Sequence, residues 1–482
     1  MTPKAFPTFG KLIQRFSANA FPMMSRRAYS WELRSACFLP FALACVEGGV
    51  IGTIAKKAFQ ANDLVIAILA AAPALSNIVS FLWTRLFHGR NRVRAILLLQ
   101  TIILSCVGVI AMAPISAVGT WMIVASVLVA RFSMAGIIVA RSDLWRANYA
   151  RASRSRAAGN LSMMMTLIIG LSGLLIGLVM DLEEAPAAVQ RVARPVLGLL
   201  GIDPTDTDSA FRIFYAGAVV AGLLGIWAFS HVRWRGGRAQ ARTETRQRES
   251  RENTAGPLAM YGVLRDDRMY RRYMGAMFLL GISNIAAMPV FIIALNERFE
   301  LNYTSALLLT HVIPVLLPVL VIPFWAKVLD GMHIVQFRTY HSWFFIVANA
   351  LMAIGFAMES LAVLTVARVI LGIAFGGGML AWNLGHHDFA RRELASVYMG
   401  IHATLTGVRG ALGPFIGVVL YAGLTIPVWT GLDETNMPPV LTGGIGTWTF
   451  LVFSASGTVG AFLFARLLRD MRELGIAEAK DA

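Results

Sequence analysis

Three cysteines in 482 residues, and 27 acidic residues against 43 lysines and arginines, are the first scarcities of this chain. Cys37, Cys45 and Cys106 show neither disulfide nor metal spacing, which excludes a disulfide framework and leaves them as packing residues. Charged residues of both signs make up only 15%, far below the quarter or so of a soluble domain. There is also no phosphate-binding glycine loop, no HExxH and no nucleophile with a plausible base, so neither an enzyme nor a cofactor is expected.

What the chain has instead is apolar length. Hydrophobic residues form 57% of it, and runs of about 20, enough to cross a bilayer core as a helix, recur along nearly all of it. Twelve runs can be read, at roughly 36–56, 63–86, 94–114, 120–140, 158–180, 211–231, 272–294, 303–326, 340–357, 361–382, 396–422 and 447–467. Their lengths suit helices rather than the shorter strands of a barrel. The expected fold is an all-α membrane protein of twelve transmembrane helices, with the lipid bilayer as a partner.

Basic residues collect in one set of loops, which is therefore expected to be cytoplasmic. They lie in the N-terminal tail (Lys4, Lys11, Arg15, Arg26, Arg27, Arg34), after run 2 (Arg85, Arg90, Arg92, Arg94), after run 4 (Arg146, Arg151, Arg154, Arg156) and after run 10 (Arg391, Arg392). The densest cluster runs from Arg233 to Arg272, whereas the alternate loops carry acids such as Asp181, Glu184, Asp208, Glu297 and Glu359. Both termini are expected in the cytoplasm of a multi-pass protein, the bacterial inner membrane being favoured, with no cleavable signal peptide evident. Topology accounts for most of the formal net charge of +16, so no nucleic-acid partner is inferred. The polar stretch "RGGRAQARTETRQRESRENTAGP" reads as a cytoplasmic linker. The expected organisation is a tail at 1–33, a six-helix bundle at 34–232, a linker at 233–269, a second six-helix bundle at 270–468 and a tail at 469–482.

The linker separates six runs from six, and the halves repeat. Laying Val129–Arg154 over Val366–Arg391 puts Arg131 on Arg368, Trp145 on Trp382 and Arg154 on Arg391, each pair 237 positions apart. "WTRLFHG" (Trp83–Gly89) matches "WAKVLDG" (Trp325–Gly331) at an offset of 242, as expected for an old duplication with a small indel. On these residues the chain resembles the major facilitator superfamily, whose two pseudo-symmetric six-helix bundles are joined by a cytoplasmic linker. The arginine and small-residue patch of runs 4 and 10 ("RFSMAG", "RVILG") resembles that family's fourth-helix motif. The short basic loops after runs 2 and 8 resemble its loop 2–3 motif, departing from it at His88, where the second half has Asp330. "GALGPFIG" (Gly410–Gly417) resembles a Gly-Pro motif that many drug exporters carry in helix 5, but it stands in run 11, which weakens an exporter reading.

Ionisable residues inside a bilayer persist for a reason. They are Glu47 in run 1, Arg131 in run 4, His311 in run 8, Arg368 in run 10, and His402 and Arg409 in run 11. The fold implied by the resemblance has helices 1, 4, 7 and 10 lining a central cavity, flanked by 2, 5, 8 and 11, so all six fall on cavity or flanking helices. Glu47, the only acid deep in a run, is either a proton-coupling carboxyl or a permanent partner of an arginine; His311 is either a second proton-coupling group or a packing histidine. Arg131 and Arg368 either bind a substrate anion or hydrogen-bond between helices. Tyr398, His402, Thr406, Arg409 and Gly413 follow steps of four, four, three and four and form one polar face, expected to look into water or substrate. Asn284 in run 7 offers hydrogen bonds to the same space. The candidate substrate site is thus Arg131, Asn284, Arg368, Tyr398, His402, Thr406 and Arg409, for a small-molecule solute with no metal.

The stretch "AWNLGHHDFARRE" (Ala381–Glu393) raises a metal site and then disfavours it. His386 and His387 would point about 100° apart on a helix, and His387 stands one turn from the repelling Arg391. The stretch reads instead as a latch at the end of run 10, with Trp382 anchoring the interface between halves and Asp388 pairing with Arg391 or Arg392. His88, Arg90, Trp145, Arg154 and Asp330 complete the candidate gating set. The function expected is a monomeric secondary transporter of a small anionic or polar organic solute, proton-coupled and working by alternating access. The alternative is a transporter-like receptor or assembly factor that carries nothing.

Overall fold

The computed structural model describes residues 16–78, 80–87, 90–200, 208–237, 239, 257–390, 394–423 and 443–475. The linker's centre, the outer part of both tails, His88, Arg391 and Arg392 lie outside these. Eleven helices among the described residues are long and apolar enough to cross a membrane. They are Met23–Lys57, Arg92–Ala111, Ala117–Asn148, Ser153–Met180, Phe211–Ser230, Arg268–Arg298, Tyr303–Asp330, Ile334–Ala357, Leu361–Asp388, Val397–Ala422 and Gly446–Glu473. These are spans 1 and 3 to 12, numbered as the runs. Run 2 carries two helices, Asp63–Ile78 and Ser80–Phe87, together called span 2.

Several helices outrun their apolar stretches. Span 1 begins at Met23, thirteen residues before the run at 36, because hydropathy marks where lipid lies and not where hydrogen bonding stops. An unanticipated amphipathic helix, Ala187–Leu200, lies between spans 5 and 6. It tucks Val189 and Ala193 against Leu182 and Ile213 and leaves Arg191 and Arg194 exposed.

Span 1 begins and span 12 ends on one side, the near side. There Arg235 donates to the Met24 carbonyl (2.9 Å) and Arg272 pairs with Asp470 (2.7 Å). Lys57, Asp181 and Leu301 lie on the opposite, far side. Hydrogen bonds between the two halves run from mid-depth to the far side. Thr53 and Thr310 hydroxyls meet at 3.0 Å, Lys57 donates to the Leu301 carbonyl (2.6 Å), and Asn302 to Glu184 (2.8 Å). Asp181 accepts from the backbone N–H groups of Tyr303 (2.9 Å) and Thr304 (2.5 Å), and the Tyr303 hydroxyl donates to Asp208. These bonds lock the halves together on the far side.

Two spans are irregular. Span 1 breaks at Cys45–Glu47, just before Gly48 and Gly49. The backbone groups freed there need partners inside a bilayer: the Cys45 carbonyl accepts from Tyr215 (2.7 Å) and the Val46 carbonyl from Arg131 (2.6 Å). Span 8 contains a π turn, Leu308–Val312. Pro314, lacking an N–H, follows it. Arg368 donates to the carbonyls of Leu309 (2.7 Å) and Thr310 (3.2 Å).

Close crossings depend on glycine. Gly170, Gly173 and Gly177 of span 5 repeat in span 11 as Gly410, Gly413 and Gly417, and small residues let helices approach. A Cβ on Gly417 would sit 2.5 Å from the Ala286 carbonyl oxygen, and one on Gly177 would sit 2.7 Å from the Thr304 Cα. Backbone cannot swing aside as a side chain can, so Gly177→Ala is expected to hold the far side apart at about 1–3 kcal/mol. A cysteine at the buried Thr53, in a variant without native cysteines, should then react roughly tenfold or more faster with an impermeant maleimide. Unchanged labelling would show that the crossing yields elsewhere.

Candidate functional site

At mid-depth, the break in span 1 presents Glu47 to Arg131 of span 4 as a two-point fork, at 3.1 and 2.9 Å. Such bidentate pairs are the stronger class of charged hydrogen bond. The Glu47 side chain keeps 28% exposure while that of Arg131 keeps 8%, so the acid is the less covered member of the pair. His311 lies within electrostatic reach of Glu47, but its Nε2 is 3.1 Å from the Ile169 carbonyl across the halves.

A cavity of about 450 Å³ opens in the C-terminal half between Gly281 and Asn284 of span 7, Arg338 and Phe345 of span 9, Trp382 of span 10 and Arg409 of span 11. Arg409 lies flat across Gly281, where a Cβ would be 2.2 Å from its Nη1. Its Nη1 donates to the Met277 carbonyl (2.6 Å) and its Nη2 to the Thr406 hydroxyl (3.2 Å). The Trp382 indole also donates to Thr406 (3.2 Å), and its ring meets the His402 ring edge-on at 5.6 Å. His402 is fully buried, and neither of its ring nitrogens has a hydrogen-bond partner. Asn284 accepts from Asn349 (3.2 Å). A larger cavity, about 510 Å³, lies under the amphipathic helix but is lined by apolar residues alone, among them Phe41, Leu175 and Phe214.

The structure thus brings together Asn284, Thr406, Arg409 and His402 of the expected substrate set, and separates the others. Arg131 and Arg368 do not border this cavity. The Arg131 guanidinium is divided between Glu47 and the Val46 carbonyl, and that of Arg368 serves the Leu309 and Thr310 carbonyls and lies over the Phe291 ring at 4.4 Å. Tyr398 is a near-side tie: its hydroxyl donates to Asp267 (2.7 Å) and its carbonyl accepts from Tyr270 (2.7 Å). The polar face of span 11 was expected to look into water; Tyr398, His402 and Arg409 are instead buried, because span 7 carbonyls and Trp382 supply their neighbours.

The gating set needs a similar correction. Trp145 and Trp382 do not join the halves. Trp145 donates to Glu32 within the N-terminal half (2.7 Å), and Trp382 bonds to Thr406 within the C-terminal half. Arg154 donates to the carbonyls of Arg146 and Tyr149 at the end of span 4, in its own half, and the exposed Arg90 offers its carbonyl to Arg92 (3.3 Å). Asp388 accepts from the Ile334 N–H (2.8 Å), capping span 9, and borders a cleft with Asp330 and His387. His386 and His387 do not splay, because they sit in a 3-10 turn with ring centroids 4.0 Å apart.

Sequence reasoning missed two buried charged residues. Glu32 accepts from Trp145 and from Tyr149 (2.9 Å), and Arg338 is 3% exposed. Both stand just outside the apolar runs. For Arg338, a position one turn before His341 on the same helix face was the available signal.

Two helical halves locked together on one side, with ionisable groups at mid-depth and a polar-floored cavity, define a membrane transporter. A sequence profile of the Major Facilitator Superfamily matches residues 36–414, and the chain belongs to that family. Among solved structures it is similar to a POT family transporter in complex with a thioalcohol conjugated peptide (TM-score 0.64, 12% identity, 95% of this chain and 99% of that one). It is also similar to the nucleoside transporter NupG (0.59, 13%, 91% and 98%) and to a D-xylose-proton symporter (0.60, 12%, 91% and 97%). At these identities the likeness is one of fold. No curated protein sequence matches the chain.

Proposed function

We propose that this chain is a secondary active transporter, working as a monomer in a cell membrane, that carries a small anionic or polar organic solute by alternating access with proton coupling through Glu47. The observation that carries the reading is the charge of the cavity: two arginines, Arg338 and Arg409, and no carboxylate among its lining residues. A cationic solute would meet repulsion there, undiminished by bulk water. Glu47 supports the coupling, since it is the less covered member of a mid-depth ion pair and its partner lies on a neighbouring helix. Proteins of similar fold carry nucleosides, peptides and, with protons, D-xylose, all small polar solutes. The collection of Lys and Arg in the near-side loops supports a cytoplasmic near side with both termini there, and we favour a bacterial inner membrane.

The test is flux into liposomes carrying the purified protein, with an imposed pH gradient and matched panels of organic acids, neutral sugars and organic cations. Saturable, gradient-driven flux of acids or neutral polar solutes is expected. Arg409→Ala should lower acid flux by about 10- to 100-fold, the worth of one hydrogen bond to a charged group. Transport confined to cations would refute the reading.

A further inference from the structure

The two halves finish differently at their near-side ends, and the difference specifies a ligand. In the N-terminal half, spans 1 and 4 close around a carboxylate of their own. Glu32 is buried, accepts from Trp145 and Tyr149, and lies within electrostatic reach of Arg141. The repeat lays Trp145 on Trp382, and an offset of 241 lays Tyr29 on Tyr270 and Glu32 on Tyr273. Where the first half has a carboxylate, the second has a phenol.

The surroundings of Tyr273 have not lost their need for an anion. Both nitrogens of His402 and the Nε atoms of Arg338 and Arg409 are buried without a hydrogen-bond partner, and the Tyr273 hydroxyl lies against the Arg338 guanidinium. Arg338 and Arg409 both act electrostatically on Tyr273 and on each other. No ion pair among the described residues involves either arginine. Asp388 acts electrostatically on Tyr273, and its carboxylate accepts from the Ile334 N–H at the start of span 9. Buried donors without acceptors are costly, and two guanidiniums sharing a low-dielectric site repel. Both arginines face the cavity, so an acceptor entering it could reach them. The rest of the wall is mostly apolar, with the rings of Phe345, Phe375 and Trp382 beside the amides of Asn284 and Asn383, which suits an apolar or aromatic body carrying a polar group.

We infer that the Tyr273–Arg338–Arg409–His402 cluster is a carboxylate-binding site, and that the transported solute is an aromatic or aliphatic organic acid whose carboxylate fills the place Glu32 fills in the other half. The inference rests on the reading of this cavity as the solute site. Its shared chemistry, a monoanion, could also be met by an inorganic ion, and the experiment separates the two sources.

Thermal unfolding of the purified full-length protein in detergent should be followed with benzoate, the neutral isostere benzamide, and chloride at equal ionic strength. A ligand that binds only the folded state raises the midpoint. Benzoate is expected to raise it saturably while benzamide and chloride do not. Arg338→Gln should raise the half-maximal benzoate concentration about tenfold or more. Tyr273→Glu, which restores the arrangement of the first half, should raise the midpoint without ligand and abolish the benzoate response. Equal stabilisation by chloride would overturn the organic-acid assignment. A benzoate response unchanged in both Arg338→Gln and Tyr273→Glu would overturn the site. The transport reading fails separately: no flux in liposomes with the benzoate response intact would sink transport alone, and acid flux insensitive to Arg338→Gln would sink the site alone.

Discussion

Arg131→Met with Glu47 retained is expected to destabilise the protein by about 3–5 kcal/mol, the usual result of leaving one member of a buried ion pair without its partner. The partner is then a carboxylate at mid-depth in a bilayer, and the Val46 carbonyl loses its donor as well. The double variant Arg131→Met, Glu47→Leu separates the two losses. Replacing both charges by apolar groups removes the orphaned carboxylate and is often neutral, but it cannot mend the carbonyl, which should still cost about 1–3 kcal/mol. The double variant should therefore be more stable than the single one and less stable than the parent. Denaturation in micelles gives the order. A double variant as stable as the parent would mean that the span 1 break needs no plug. Glu47→Gln asks a different question: solute should still equilibrate across liposomes while gradient-driven accumulation is lost. Accumulation that survived would remove Glu47 from the coupling.

The second large effect is expected at Asp181. Its carboxylate caps the first turn of span 8 through two backbone N–H groups, where the positive end of a helix favours an anion. Asp181→Ala removes two charge-assisted bonds, each worth about 1.5–3 kcal/mol. Both cross between the halves, so their loss falls wholly on the far-side-closed state and should shift its population by roughly a hundredfold or more. Thr53→Cys reports the shift by its rate of labelling from the far side. Lys57, which donates to the Leu301 carbonyl and lies over the Tyr303 ring at 5.0 Å, should give a smaller effect when replaced by Met. If Asp181→Ala left labelling unchanged while Lys57→Met raised it, the latch would belong to the lysine instead.

The apolar runs and their number of residues announced the helical bundle directly, and the repeated Arg131 and Arg368 announced its two halves. Their partners could not be read. A freed backbone carbonyl has no residue type, and the same arginine mends span 1 in one half and span 8 in the other. The break in span 1 left a trace in Gly48 and Gly49, yet nothing in the letters ties it to Tyr215. Glu32 and Arg338 escaped because a hydropathy window ends where charge begins, while the helices run on. Asp181 was visible as an acid in an acidic loop, but its use as a cap depends on Tyr303, more than a hundred residues away. Arg409 and His402 were legible through spacing alone, since four residues return a helix to the same face.

The described polar ties between the halves run from mid-depth outward, and the strongest of them stand on the far-side loops. The cavity lies inside one half, built from residues that make none of those ties. Cargo choice and switching speed are therefore written on separate residues. A lineage of this protein could exchange one solute for another by changing the wall of the cavity, or turn over faster by loosening Asp181, with neither change forcing the other.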